Sequence, residues 1–216
     1  MTKKTDSVLD FIHTNYEFKN TNNGVFAYVE TTDGKTEMEL DGKDFRSIIA
    51  YDYREATGES IQEKEIRNAV LTLRGKVLKE QPKRNTTLRV NMSKNGKTIR
   101  IDMGNSQYGY IKITADGWVL KENEGDKYFT RNKKQSQLPN PKRGGDFNRI
   151  FDYCRIPQDR RAVFTAWTIA NFIDIIHPCL VLEGEAGSSK STVSTMLKRL
   201  IDPCLNNNPA MSTISG

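Results

Sequence analysis

The residues whose types and spacing suit them to chemistry stand together late in the chain, in Val181-Leu-Glu-Gly-Glu-Ala-Gly-Ser-Ser-Lys190-Ser191-Thr192. The apolar run from Cys179 to Leu182 predicts a short buried strand. A Gly/Ser-rich turn follows, and Lys190-Ser191 open a helix expected to reach about Leu200. Strand, glycine-rich loop and helix in that order make a phosphate-binding loop. The candidate binding residues are Gly184, Glu185, Ala186, Gly187, Ser188, Ser189, Lys190, Ser191 and Thr192. Backbone N–H groups and the positive helix end seat polyphosphate. The Lys190 ammonium is expected on the β- and γ-phosphates and the Ser191 hydroxyl on Mg²⁺. One position departs from G-x-x-x-x-G-K-[ST], because Ser189 stands where the second glycine belongs. If that position needs positive φ, serine carries a modest strain cost there.

Elements ahead of the loop must position it. Residues 5–14 predict a short helix capped by Asp6 or Ser7. Asn22-Asn23-Gly24 predicts the turn of a hairpin whose second strand holds Val25, Phe26 and Val29; Asp33-Gly34 leads to a further strand over 36–40. Phe45, Ile48, Ile49 and Tyr53 have helical spacing, with Asp41 or Asp44 as cap. A second helix carries Ile61, Ile66, Ala69, Val70, Leu73 and Val77, with Ser60 and Glu63 as a capping box. Strands over 87–92 and 98–103 flank Lys94-Asn95-Gly96-Lys97, and more strands follow at 108–113, 118–121 and 128–129.

Two helices and a hairpin admit a winged-helix reading, in which Lys64, Arg67, Asn68, Arg74, Lys94 and Lys97 face nucleic acid. The strands that continue past the hairpin favour instead an α+β domain whose second helix packs on a meander. Two prolines, two glycines and five basic residues mark 131–145 as a linker. Phe147 to Arg155 predicts a brief helix. Pro157 opens another, with Ala162, Val163, Ala166, Trp167, Ala170 and Phe172 apolar; Trp167 is expected in the core.

The chain of 216 residues carries a net charge of +6. Residues 1–60 hold seven basic and twelve acidic side chains, whereas 61–100 hold eleven basic and three acidic. Such a block fits either a face for an acidic partner, nucleic acid above all, or a solvated basic surface. Three scattered cysteines and no C-x-x-C argue against a disulfide framework and a zinc site. No apolar run reaches membrane-spanning length and no secretory signal is visible, so a cytoplasmic protein without membrane partners is expected. His13 and His177 lack a partner pattern, and packing or surface roles are expected for both.

Several segments together carry a family resemblance: Phe45-Arg46 with Tyr53-x-x-Ala56-Thr-Gly58, Ile113-Thr-Ala-Asp-Gly-Trp118, Leu138-Pro-Asn-Pro-Lys-Arg-Gly-Gly145, Leu180 through Thr192, and Leu200-Ile-Asp-Pro203. In this order they resemble bacterial and phage or mobile-element ATPases of primase/helicase-like type. The resemblance implies an AAA+/superfamily 3 P-loop NTPase core preceded by an α+β accessory domain, with ATP and Mg²⁺ as cofactors. It implies DNA as substrate and a homo-oligomeric parent.

The expected organisation is therefore an α+β domain over 1–130 (two helices plus antiparallel sheet), a basic linker over 131–145, and the start of an α/β P-loop domain over 146–216. Only 26 residues follow Lys190. They are too few for a Walker-B strand or an arginine finger. Asp202 follows a helix, not a strand. The expectation is a fragment carrying the first βα unit of an ATPase, inactive in hydrolysis by itself and weakly supported after about residue 178.

Overall fold

A computed structural model describes residues 3–32, 34–122, 124–131, 135–173, 175–185 and 187–205. The chain is α+β and forms two compact units, Met1–Thr86 and Thr87–Gly216.

Unit 1 sets three helices against a three-stranded antiparallel sheet of order β1-β2-β3. Helix α1 (Lys3–Asn15) brings Val8 and Ile12, one turn apart, into the core. Strands β1 (Glu17–Thr21) and β2 (Gly24–Thr31) form the hairpin expected at Asn22-Asn23-Gly24. The Thr21 hydroxyl tightens its turn, accepting from the Asn23 N–H at 3.1 Å and donating to the Gly24 carbonyl at 2.9 Å. Strand β3 (Gly34–Glu39) pairs with β2. Val25, Ala27 and Val29 alternate along β2, so all three face the same core.

Helix α2 (Lys43–Thr57) buries Phe45, Ile49 and Tyr53, spaced four apart, and ends on Gly58 at φ 73°. Helix α3 (Glu63–Glu80) buries Ile66, Ala69, Val70, Leu73 and Val77. The caps differ from those expected. Gly42 rather than Asp41 or Asp44 precedes α2, without a side-chain cap. The capping box of α3 is Gln62 with Glu65, two residues beyond Ser60 and Glu63, which leaves Ile61 ahead of the helix.

Unit 2 opens on a four-stranded antiparallel meander: β4 (Val90–Met92), β5 (Ile99–Asp102), β6 (Tyr110–Thr114) and β7 (Gly117–Lys121). The turn at Asn95-Gly96 closes with the Gly96 N–H donating to the Ser93 carbonyl at 2.8 Å. Residues 128–129 do not form the expected strand. They follow a single 3-10 turn (Gly125–Lys127), and Phe129 makes only an isolated parallel bridge to Thr87. Three α-helices follow in unit 2, separated by irregular segments: α4 (Arg149–Tyr153), α5 (Arg161–Ala170) and α6 (Lys190–Ile201). In α5 the buried face runs through Phe164, Thr168 and Ala170, and Val163 faces solvent.

The division at Thr86 and Thr87 falls between α3 and the β4–β5 hairpin. A winged helix needs those helices and that hairpin in one body, and here they belong to different units. The stretch that composition marks as a linker is stitched into unit 2 at its front end. The Ser136 N–H donates to the Pro203 carbonyl at 3.0 Å, and the Leu138 N–H to the Met103 carbonyl at 2.8 Å. Leu138 is buried with Ile101 and Met103. Backbone pairing and one buried leucine hold this segment despite its proline content.

Candidate phosphate-binding loop

The helix begins where its sequence says it should. Lys190 is the first residue of α6, which spans twelve residues with Lys198 and Arg199 in its last turn. No acidic side chain stands in its first turn, so nothing there offsets the positive end of the helix. Leu197 is buried and Val193 packs beside it against Phe151, Cys154 and Phe164, which fixes the helix on the unit. Burial in this apolar cluster raises the Cys154 thiol above its ordinary pKa.

Among the described residues of the loop ahead of α6, three have positive φ: Gly184 at 151°, Gly187 at 83° and Ser189 at 62°. A β-carbon at Gly184 would lie 2.7 Å from the Ser188 hydroxyl, so only glycine fits there without a shift. Ser189 occupies the left-handed region that the motif ordinarily reserves for glycine, and its side chain makes no cap bond. The strain condition set out from the sequence is therefore met.

The Lys190 ammonium is folded back into the loop. It donates to the Gly184 carbonyl at 2.6 Å, the Glu185 carbonyl at 2.7 Å and the Ser188 hydroxyl at 3.0 Å. The loop thus wraps a single cationic group at the N-terminus of a helix. Ser191 and Thr192 lie exposed in the first turn of α6, and Glu185, Gly187 and Ser188 are exposed in the loop. Ala186 lies outside the described residues.

The segment leading into the loop differs from expectation. Residues 178–183 form no strand, and Val181 is 67% exposed. A parallel strand is stabilised by neighbours on both edges and cover on both faces, and no described strand pairs with this segment. It is held by other means. Leu180 packs on the Phe151–Phe164 cluster, and the Trp167 indole N–H donates to the Pro178 carbonyl at 3.0 Å. The His177 Nδ1 lies 3.1 Å from the Ala170 carbonyl. Trp167 is half-buried against the Phe151–Phe164 cluster rather than fully in the core, and His177 is exposed.

Asp202 sits at the opposite end of α6, about 18 Å from Lys190 at 1.5 Å per residue. It is engaged structurally: Arg89 donates to it at 2.9 Å and Lys198 at 2.6 Å. Burial works against its ionised form, but the hydrogen bonds from Lys198 and Arg89 outweigh that and hold its carboxyl below the ordinary range. Sequence spacing gives no sign of Arg89, which is 113 positions away.

The basic candidates fall on both units. Lys64, Arg67, Asn68 and Arg74 lie exposed on α3, while Lys94 and Lys97 flank the exposed β4–β5 turn. Two of the α3 cations are matched by carboxylates. Arg67 donates to Glu63 at 2.7 Å, and Arg74 pairs with Asp41. The Arg67 hydrogen bond holds Glu63 below the usual carboxylate range. The charge excess of 61–100 is thus partly cancelled where it meets acids outside or inside the block. Among the described residues no helix is long and apolar enough to cross a membrane, and no group of three or more His, Cys, Asp or Glu side chains could hold a metal.

No protein-family model matches the chain, and no curated protein is significantly similar to it.

Proposed function

We propose that unit 2 carries an ATP-binding phosphate loop and that the chain belongs to an ATP-dependent, DNA-directed replication protein of helicase or primase-like type. The supporting observation is the convergence of the Lys190 ammonium, a loop with three positive-φ residues and the N-terminus of α6 on one spot. Anionic oxygens satisfy the same ammonium protons that loop carbonyls satisfy here, and they gain from the unopposed helix end. In this reading Lys190 neutralises the β- and γ-phosphates. The Ser191 hydroxyl holds Mg²⁺, and Gly184 and Gly187 let the backbone approach the phosphates. The work on DNA and the homo-oligomeric assembly follow from the family resemblance.

Calorimetric titration of the chain with ATP and Mg²⁺ tests the reading. Lys190→Ala is expected to weaken binding at least about tenfold, the loss of one charge-assisted contact. Binding of ATP that is indifferent to Lys190→Ala and to Gly184→Val refutes it.

A further inference from the structure

A second concave site lies wholly within unit 1 and shares nothing with the phosphate loop. It is a cleft of about 660 Å³ between α1, α2 and the sheet. Its walls are aromatic: Phe11, Tyr16, Tyr28 and Tyr51. Phe11 and Tyr16 are braced edge-on by Tyr53 and Phe45. Its charged groups are Glu17, Glu30, Asp52 and Glu55 against the single cation Lys35.

Lys35 displays what such a lining holds. Its ammonium sits 4.3 Å from the centroid of the Tyr28 ring and 2.8 Å from the Glu17 carboxylate. One face of the cation meets a π-system and another meets a carboxylate, the pairing by which proteins seat organic cations. That seat uses one of the four carboxylates. Asp52 accepts a hydrogen bond from the Tyr16 hydroxyl. Among the described residues Glu30 and Glu55 have no ion-pair partner.

The chemistry of the occupant follows. The carboxylates are spread around aromatic rings and form no grouping able to chelate a metal. A long cation with an apolar stem satisfies both kinds of wall, whereas a compact ion satisfies only one. Phosphate-bearing ligands are repelled by the acidic excess. We infer that this cleft docks an arginine or lysine side chain presented by a basic segment of a protein partner. Its volume lies within the roughly 300–1,000 Å³ of ordinary ligand pockets.

The test uses the full chain and a defined probe, acetyl-Gly-Arg-Gly-Arg-Gly-amide, with the same peptide carrying citrulline for arginine. Tyrosine ring resonances and calorimetry report binding. The arginine peptide is expected to shift the Tyr28 and Tyr51 signals, and the citrulline peptide to bind at least about fivefold more weakly. Glu30→Gln with Glu55→Gln should weaken the arginine peptide by a similar factor, while Glu59→Gln, outside the cleft, changes nothing. Lys35→Met removes the resident cation and should tighten binding about twofold or more. Equal binding of both peptides, or an unchanged affinity in the double variant, overturns the proposal. So does free arginine amide binding as tightly as the peptide, which would make the cleft a small-cation site. ATP binding by the same samples is unaffected in either case, which separates this inference from the phosphate loop.

Discussion

The Arg89 guanidinium donates to the Asp202 carboxylate at 2.9 Å, joining the approach to β4 to the C-terminal end of α6. The same guanidinium also donates to the carbonyls of Asp102 at 3.1 Å, Ser136 at 2.9 Å and Pro203 at 3.0 Å. One buried side chain therefore ties the sheet, the segment after residue 135 and the end of α6 together. Asp102 continues the network, accepting from Arg131 at 2.6 Å and from Gln135 at 2.7 Å.

Truncation at this hub strands buried acceptors. Arg89→Ala is expected to destabilise unit 2 by about 3–5 kcal/mol, the range for removing one member of a buried charged network. Arg89→Lys keeps the charge but loses the planar fork, and should recover less than half of that. Urea denaturation measures both. Hydrogen exchange at the Asp202 amide, which donates to the Lys198 carbonyl at 2.9 Å, should quicken in either variant.

The depressed Asp202 carboxyl has a pH signature. Because its pKa is lower in the folded chain, the folded state binds fewer protons than the unfolded one between the two values. The stabilisation is complete above the unfolded carboxylate value near about pH 4 and is lost as pH falls through the folded value. Asp202→Asn should be less stable than the parent at neutral pH, and the gap should close on acidification. A gap constant down to about pH 2 would contradict this.

In unit 1, Lys19 and Glu37 form a buried ion pair at 2.8 Å, with the lysine only 1% exposed. They lie on β1 and β3, on either side of β2. Lys19→Met or Glu37→Leu alone leaves one buried charge and should cost about 3–5 kcal/mol. The double variant should be near the parent in stability, since desolvation of the pair offsets most of its attraction. A double-mutant cycle by chemical denaturation checks the sign.

Ser189 bears the conformational strain of the loop. Ser189→Gly should stabilise unit 2 by about 0.5–1 kcal/mol, because glycine meets no penalty at φ 62°. Gly184→Ala should do the reverse, since its β-carbon meets Ser188 at 2.7 Å. Denaturation midpoints of the two variants should move in opposite directions.

The order of helices in unit 1 and the hairpins of both units were legible because they rest on local rules. Four-residue spacing placed Phe45, Ile49 and Tyr53 on one helix face, and Asn-Gly turns placed the β1–β2 and β4–β5 hairpins. The start of α6 at Lys190 was legible for the same reason. Cap positions were not, because Gly42 precedes α2 without a side-chain cap, and Gln62 with Glu65, rather than Ser60 with Glu63, forms the capping box of α3.

What the sequence determined by itself is the helices, the hairpins and the glycine-lysine loop, but not the strands expected at 128–129 and 179–182, since periodicity and turn chemistry act over a few residues. The tertiary structure alone decided which distant groups meet. It divided the chain ahead of β4, so that α3 and the hairpin belong to separate units. It closed the loop onto Lys190 and left residues 178–183 without a strand partner, because strand pairing depends on neighbours remote in sequence. It also brought Arg89 to Asp202 and Glu17 to Lys35. Those contacts depend on how the elements pack, and no spacing along the chain encodes them.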